Sequence, residues 1–171
     1  SILSEDVVAL VDQGNRFLVQ PGYPLIRLWP ESVAALFGDE EALPRLTPTW
    51  DKRRFDLITE ESRFHSEPLP LAAVYYLDER RSDIEAPFIE SFPDGQKLMT
   101  LVTNTYVNYL LDEKMRAQEF DVLGRLCRNV PVRRIIPHAD FSSLSKLREV
   151  ILNDLRANVQ HREIGSPHNT D

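Results

Sequence analysis

The sequence predicts an α+β protein, a mixed β-sheet with C-terminal helices packed on it, and three observations carry that prediction. Short runs with strand patterning, separated by Gly, Pro, Asn and Asp, occupy the chain as far as Phe92. Beyond Asp94 the apolar residues change to the i, i+3, i+4 spacing of amphipathic helices. The composition, 42% hydrophobic and 27% charged over 171 residues, is that of one ordinary folded domain. No internal repeat or interdomain linker is visible, so 1–159 reads as a single domain and 160–171 as a polar, frayed tail.

The elements follow in order. "ILSEDVVAL" and Val11 alternate between two faces and read as a strand over 2–11, with Glu5 and Asp6 on opposite faces. "DQGN" (Asp12 to Asn15) is a turn signal, and Arg16 to Gln20 is the returning strand of a hairpin. "PGYP" turns the chain into a short strand over Leu25 to Trp29. Pro30 then opens a short helix that Gly38 closes, since proline suits the first helical position and glycine the left-handed C-terminal cap. The acidic, proline-broken stretch from Asp39 to Asp51 reads as a short helix and a loop, and "KRRFDLI" (Lys52 to Ile58) as a strand. "LPLAAVYYLDE" (Leu69 to Glu79) is the strongest strand signal, a continuous apolar run of the kind buried on both faces. "ERRSDIE" is a solvated turn and "PFIESF" a further strand.

In the last third, Leu98, Leu101, Val102, Tyr106, Tyr109 and Leu110 predict one helix with Asp94 as its N-cap. Phe120, Leu123, Leu126 and Cys127 mark a second, ended by the strand-like "VPVRRII" (Val130 to Ile136). Asp140 caps a third, striped by Phe141, Leu144, Leu147, Val150, Ile151 and Leu155.

The bulk properties exclude some function classes. A net charge of −7 removes the general basic footprint of a nucleic-acid binder, leaving only local basic patches. No apolar run approaches the ~20 residues of a membrane helix, and no secretory signal opens the chain. Cys127 lies in an apolar helical pattern and reads as a small core residue, so the chain is expected to be cytoplasmic and free of disulfides.

Glu5 and Asp6 pose the chemical question, because burying an unpaired carboxylate costs at least roughly 3 kcal/mol. An edge strand or a kink that leaves both in water is one solution. The other is a strand end facing a cleft, where an acid binds a metal or takes a proton. A β-bulge is a device that would aim both acids at one cleft.

"ILSEDVVAL", a turn, a strand, "PGYPLIRLWPESVAALFG" and an isolated "DKR", in that order, resemble the C-terminal part of bacterial HPr kinase-like proteins. "EPLPLAAVYYLD" and "NVPVRRIIPHADFSSLSKLREVI" are similar to later segments of the same family branch. These are ATP-dependent serine kinases with a core like that of phosphoenolpyruvate carboxykinase. The resemblance implies that fold without its phosphate-loop strand and helix, and phosphoryl transfer from ATP with Mg2+ to a protein serine. It puts Asp6, with Glu5, at the acidic pair beside the metal and the attacking hydroxyl, with Asp6 as metal ligand or general base. Lys52 is the phosphate-side candidate, its alternative being a solvated strand position.

The family's Gly-rich loop ending in Gly-Lys-Ser/Thr, whose N–H groups cradle the phosphates, has no counterpart among these residues, and neither has its Glu-x-Arg-Gly signature. Since the chain opens on Ser1 inside the strand that would follow that loop and helix, the expectation is a fragment or a degenerate member. Such a chain is inactive alone and holds neither ATP nor Mg2+ tightly. The competing reading is a non-catalytic protein-interaction or scaffolding module derived from the same fold.

Among the remaining residues, the basic run "RNVPVRRIIPH" gathers Arg128, Arg133 and Arg134, which could bind phosphate or an acidic partner surface; Arg133 and Arg134, with Trp29 and Trp50 as an apolar patch, are the partner-binding candidates for a protein substrate or partner. The alternative for the arginines is the charged solvent face of an edge strand. His65, His138, His161 and His168 match no zinc spacing.

Overall fold

The computed structural model describes residues 1–58, 63–93 and 95–164, with side chains as far as residue 158 in the last helix. The fold is α+β, and its strands divide among three small sheets rather than one. Within the span read as one domain, the chain forms two compact units, Ser1–Pro70 and Leu71–Asp171, and each is described by itself.

In the first unit β1 (Leu10–Asp12), β2 (Phe17–Val19) and β6 (Leu69–Pro70) make an antiparallel sheet in the order β1-β2-β6. The expected hairpin is present: Leu10 pairs with Val19, and Gln13 N–H donates to Arg16 C=O at 2.9 Å. Gly14 has φ 84° and its N–H donates to Asp12 Oδ1 at 2.8 Å, an Asx turn that needs the left-handed conformation glycine adopts freely. A second antiparallel sheet has the order β3-β5-β4, from β3 (Leu25–Leu28), β4 (Arg45–Thr47) and β5 (Trp50–Asp56). Helix α1 (Pro30–Phe37) has Pro30 at its start, ends at Gly38 with φ 86°, and packs on β5, where Phe37 meets the Phe55 ring at 5.5 Å.

Two expectations fail in this unit. Residues 2–9 are not a strand: Ile2 makes an isolated bridge to Phe64, and the chain bends at Glu5 and Asp6. Residues 39–51 hold no helix; within them lie β4, an edge strand recruited by pairing Arg45 with Arg53 and Thr47 with Trp50, and the first two residues of β5. An acidic stretch broken by prolines has weak preference for either state, so the partner strand decides.

In the second unit β7 (Val74–Leu77), β8 (Phe88–Ser91) and β9 (Val132–Ile136) form a mixed sheet, ordered β7-β9-β8, with β7 parallel and β8 antiparallel to β9. β9 is the central strand, and Val132, Ile135 and Ile136 are buried with Leu126 and Val130. The doubly buried strand expected over 69–79 is split between β6 and β7. β7 lies on a sheet edge with Leu77 57% exposed, because apolar composition alone does not say which strands become neighbours.

Helix α2 (Gln96–Thr103) is shorter than its apolar stripe; Tyr106 lies beyond it, and Tyr109 and Leu110 fall in a 3₁₀ turn. Asp94, its expected cap, lies outside the described residues, and Gly95 holds the N-cap position. Helix α3 (Glu113–Asn129) is capped by Asp112, whose carboxylate accepts from Met115 N–H at 2.7 Å, and it packs on α2. Asp140 caps a 3₁₀ turn (Phe141–Ser143) leading into α4 (Leu144–Ile164), which lies against β8. The helix runs past residue 160, where the frayed tail was expected to start; 165–171 lie outside the described residues. No helix among the described residues is long and apolar enough to cross a membrane.

Candidate functional site

The bend at Glu5 and Asp6 is a built feature. Val7 N–H donates to Glu5 C=O at 2.6 Å, closing a three-residue turn centred on Asp6, whose φ is 57°. A non-glycine residue there is uncommon and costs of order 1 kcal/mol, with Asp better tolerated than most. Ser4 Oγ spans the turn to Val7 C=O at 2.7 Å. Gly22 holds the turn close to the "PGYP" segment, with its N–H on Leu3 C=O at 2.7 Å; a β-carbon at Gly22 would collide with Ser4 Oγ.

The turn rotates both acids toward one side, where Arg27 of β3 takes them. Its backbone N–H reaches Glu5 Oε1 at 3.3 Å, its Nε donates to Glu5 Oε2 at 3.0 Å, and its Nη2 pairs with Glu5 Oε2 at 3.0 Å and with Asp6 Oδ2. Hydrogen bonds and charge from Glu5, then charge from Asp6, hold the guanidinium above its ordinary pKa. Asp6 Oδ1 makes no hydrogen bond among the described residues and is the oxygen left to meet a cation or a proton. The cavity here measures about 470 Å³, and its walls include Ser4, Glu5, Asp6, Tyr23, Arg27 and Leu46. The observed arrangement is neither solution as the sequence offered it: the chain kinks, but Glu5 is 19% exposed and Asp6 49%, and both share Arg27 instead of standing free in water.

Lys52 lies on β5. Arg27 pairs with Arg54, two residues on from Lys52, so alternation puts Lys52 and Arg27 on one face of that sheet, within about 8 Å of each other at their β-carbons. The Lys52 ammonium sits over the Trp29 ring, 5.1 Å from its centroid, and Lys52 is not among the residues lining the acidic cavity. Trp29 is 55% exposed.

In the second unit the arginines are not on an edge. Arg134 is clamped by Asp78 at the end of the β7 segment and by Glu90 of β8, its Nη1 to Glu90 Oε1 at 2.9 Å. Arg133, on the opposite face of β9, donates to Ser91 Oγ at 2.8 Å and Asn158 Oδ1 at 3.3 Å. Tyr75 beside it donates to Asp154 Oδ2 at 2.6 Å; burial and that carboxylate push its hydroxyl pKa well up. The charges seen in the sequence as an edge guard are therefore cross-strand ties of a central strand.

One pH dependence follows. The Glu79 backbone N–H, and then Arg134, hold the Asp78 carboxyl below its ordinary range. A depressed folded-state pKa contributes stability that is present above the unfolded value of about 3.9 and is lost as pH falls through the folded value. Protection factors of the β9 amides, exchange corrected for its intrinsic pH dependence, should fall as pH drops across that window, and Asp78→Asn should flatten the dependence. An unchanged slope in the variant would assign it to other carboxylates.

No group of three or more His, Cys, Asp or Glu side chains able to hold a metal occurs among the described residues. His138 is a turn acceptor, its Nδ1 taking the Asp140 N–H at 2.9 Å. Arg27 escaped the sequence reading, although a lone arginine inside the apolar "LIRLW" was the available signal. Comparison of this chain with known protein families, with curated proteins and with solved structures finds no match.

Proposed function

We propose that the Glu5–Asp6–Arg27 cleft is the acidic half of a phosphoryl-transfer site of the HPr kinase-like serine kinases. The observation that carries this is the tight turn that swings two adjacent carboxylates into one cavity and fixes them with a single guanidinium, while Asp6 Oδ1 has no hydrogen bond among the described residues. Phosphoryl transfer is chiefly positioning and charge neutralisation, and a carboxylate so held can accept the proton of an attacking serine hydroxyl. Mg2+ takes one or two protein carboxylates and completes its shell with phosphate oxygens and water, so Asp6 with Glu5 fits the metal side. When bound, the ion would neutralise charge developing on the phosphoryl oxygens. Lys52, on the sheet face that carries Arg27, is the candidate for the phosphate side.

The residues do not fit the nucleotide itself. A triphosphate needs a concave run of backbone N–H groups, and these residues contain no Gly-rich loop with Gly-Lys-Ser/Thr. Calorimetric titration of the chain with ATP·Mg should therefore show nothing tighter than about millimolar; micromolar affinity would overturn this account of the site. The reading frame upstream of the Ser1 codon supplies the further test. If it encodes Gly-x-x-Gly-x-Gly-Lys-Ser/Thr, the polypeptide bearing it should pass the γ-phosphate of ATP to serine in the cytoplasm, with Asp6→Asn lowering the rate at least ~100-fold. No such stretch, or transfer indifferent to Asp6, sinks the proposal.

The exposed Trp29, with Lys52 stacked on it, favours a second reading, a non-catalytic interaction module. On that reading Trp29→Ala abolishes partner binding and Asp6→Asn leaves it intact.

A further inference from the structure

The second unit contains a cavity of about 360 Å³ whose described lining carries three cationic residues and no carboxylate: Lys97 of α2, Arg128 of α3 and Arg133 of β9, with Cys127 and the run 129–132. In a chain with 27 acidic and 20 basic residues that lining is anomalous. Elsewhere Arg27, Arg45, Arg53, Arg54, Arg81 and Arg134 each meet a carboxylate within ion-pair distance, and Lys52, Arg63 and Arg80 lie over aromatic rings instead. Lys97 and Arg128 meet none among the described residues. Arg133 is partly engaged, by Ser91, Asn158 and a long ion pair of its Nε to Asp154 Oδ1 at 3.9 Å, and that buried Nε makes no hydrogen bond.

Like charges gathered in one concave wall repel one another, and a cleft lined by one sign of charge concentrates counter-ions of the other. From the observed lining we infer that Lys97, Arg128 and Arg133 bind a phosphate group, as inorganic phosphate or on a small phosphomonoester. The chemistry matches: an ammonium supplies a point charge with three donors, and a guanidinium supplies a planar fork suited to two phosphate oxygens. The volume lies at the small end of ligand cavities, which suits a compact anion rather than a nucleotide-sized ligand. This site lies in the unit that does not contain Glu5 and Asp6, and it stands independently of the kinase reading.

Cys127 makes the site testable. Burial raises its thiol pKa, while the charges of Lys97 and Arg128 pull it down, so the sulfur senses both cations. It is the chain's one cysteine, so alkylation reports on this position alone. The full chain is titrated with inorganic phosphate and, separately, with O-phosphoserine, following backbone amide shifts and the rate of Cys127 alkylation by iodoacetamide. Saturable shifts centred on residues 97 and 127–133 are expected, together with slower alkylation, because a bound anion cancels the field that favours the thiolate and covers the sulfur. Saturation by inorganic phosphate alone identifies a free-phosphate site; saturation by both identifies a phosphomonoester site.

Lys97→Gln and Arg128→Gln should each weaken binding roughly tenfold, since each removes charge-assisted hydrogen bonds. Together they should abolish the effect on alkylation, and Lys114→Gln on the exposed start of α3 should change nothing. Shifts that do not saturate, that chloride reproduces at equal ionic strength, or that survive the double substitution would overturn the inference. Both positions are at least partly exposed, so the variants keep their fold, which matching amide spectra would verify.

Discussion

Replacing Arg53 by alanine is expected to destabilise the first unit by about 3–5 kcal/mol, a large part of what a unit of this size has. Arg53 is the one buried charged residue among those described, with 2% of its surface exposed. It is also one of few fully buried side chains in Ser1–Pro70, alongside Phe17, Val33 and Leu57. Its Nε donates to Glu40 C=O at 3.1 Å, its Nη1 to Asp51 C=O at 2.6 Å, and its Nη2 to Glu41 at 2.5 Å. Arg53 thus ties the turn before β4 to the start of β5.

Alanine would leave two carbonyls without their donor and open a cavity, and these terms outweigh the lost ion pair, because Glu41 is 64% exposed and re-solvates easily. Arg53→Met, which fills the volume but donates nothing, should cost less than alanine, and Glu41→Gln less than about 1 kcal/mol. Urea unfolding followed by tryptophan fluorescence reads this unit selectively, since both tryptophans, Trp29 and Trp50, lie in it. A loss under about 1 kcal/mol for Arg53→Ala would mean that the carbonyls find other donors.

Arg27→Ala should cost the same unit about 1–3 kcal/mol, for a different reason. The guanidinium is about one-third exposed, so its direct Coulomb contribution is weakened by solvent. The larger penalty falls on what it leaves behind: Glu5, mostly covered and without its partner, beside the negative charge of Asp6. Repulsion between adjacent carboxylates then acts on a turn already strained at Asp6. Adding Glu5→Gln and Asp6→Asn to Arg27→Ala should recover about half of the loss, since the orphaned charges are gone while the lost hydrogen bonds are not. No recovery in that triple variant would show that Arg27 acts through packing of its stem on β5. By contrast Asp6→Asn alone should stay within about 1 kcal/mol, because asparagine tolerates the left-handed conformation and the position is half exposed. Stability and phosphoryl transfer can therefore be separated at Asp6, which makes it the informative position for the proposed chemistry.

How much could be read in advance is visible residue by residue. Asp12 to Asn15 contained its own turn, Pro30 and Gly38 their own helix ends, and Phe120 to Cys127 the stripe of a helix, because these rest on interactions within four residues of one another; the Asp112 cap of that helix was as local and went unread. The candidate site was half legible. Adjacent acids in an apolar run announced a problem, and a kink was one of the answers the sequence allowed, although with both acids in water rather than on a shared arginine. Its partner was not legible, since Arg27 lies 22 positions from Glu5 and nothing local selects it over any other arginine.

The same limit explains the remaining differences. Residues 39–51 were ambiguous until β5 offered an edge, and "LPLAAVYYL" looked deeply buried until its two halves went to different sheets. Arg133 and Arg134 looked like an edge guard until β9 took the middle of its sheet. Composition, chain-local turns, caps and periodicity determined the α+β class and most element positions, because their energies are decided between near neighbours. Strand order, the ion-pair partners of the arginines and the arrival of Lys97 beside the basic run that follows Cys127 were decided by tertiary structure alone. They depend on which distant segments meet, and a charge takes its role from what it meets there.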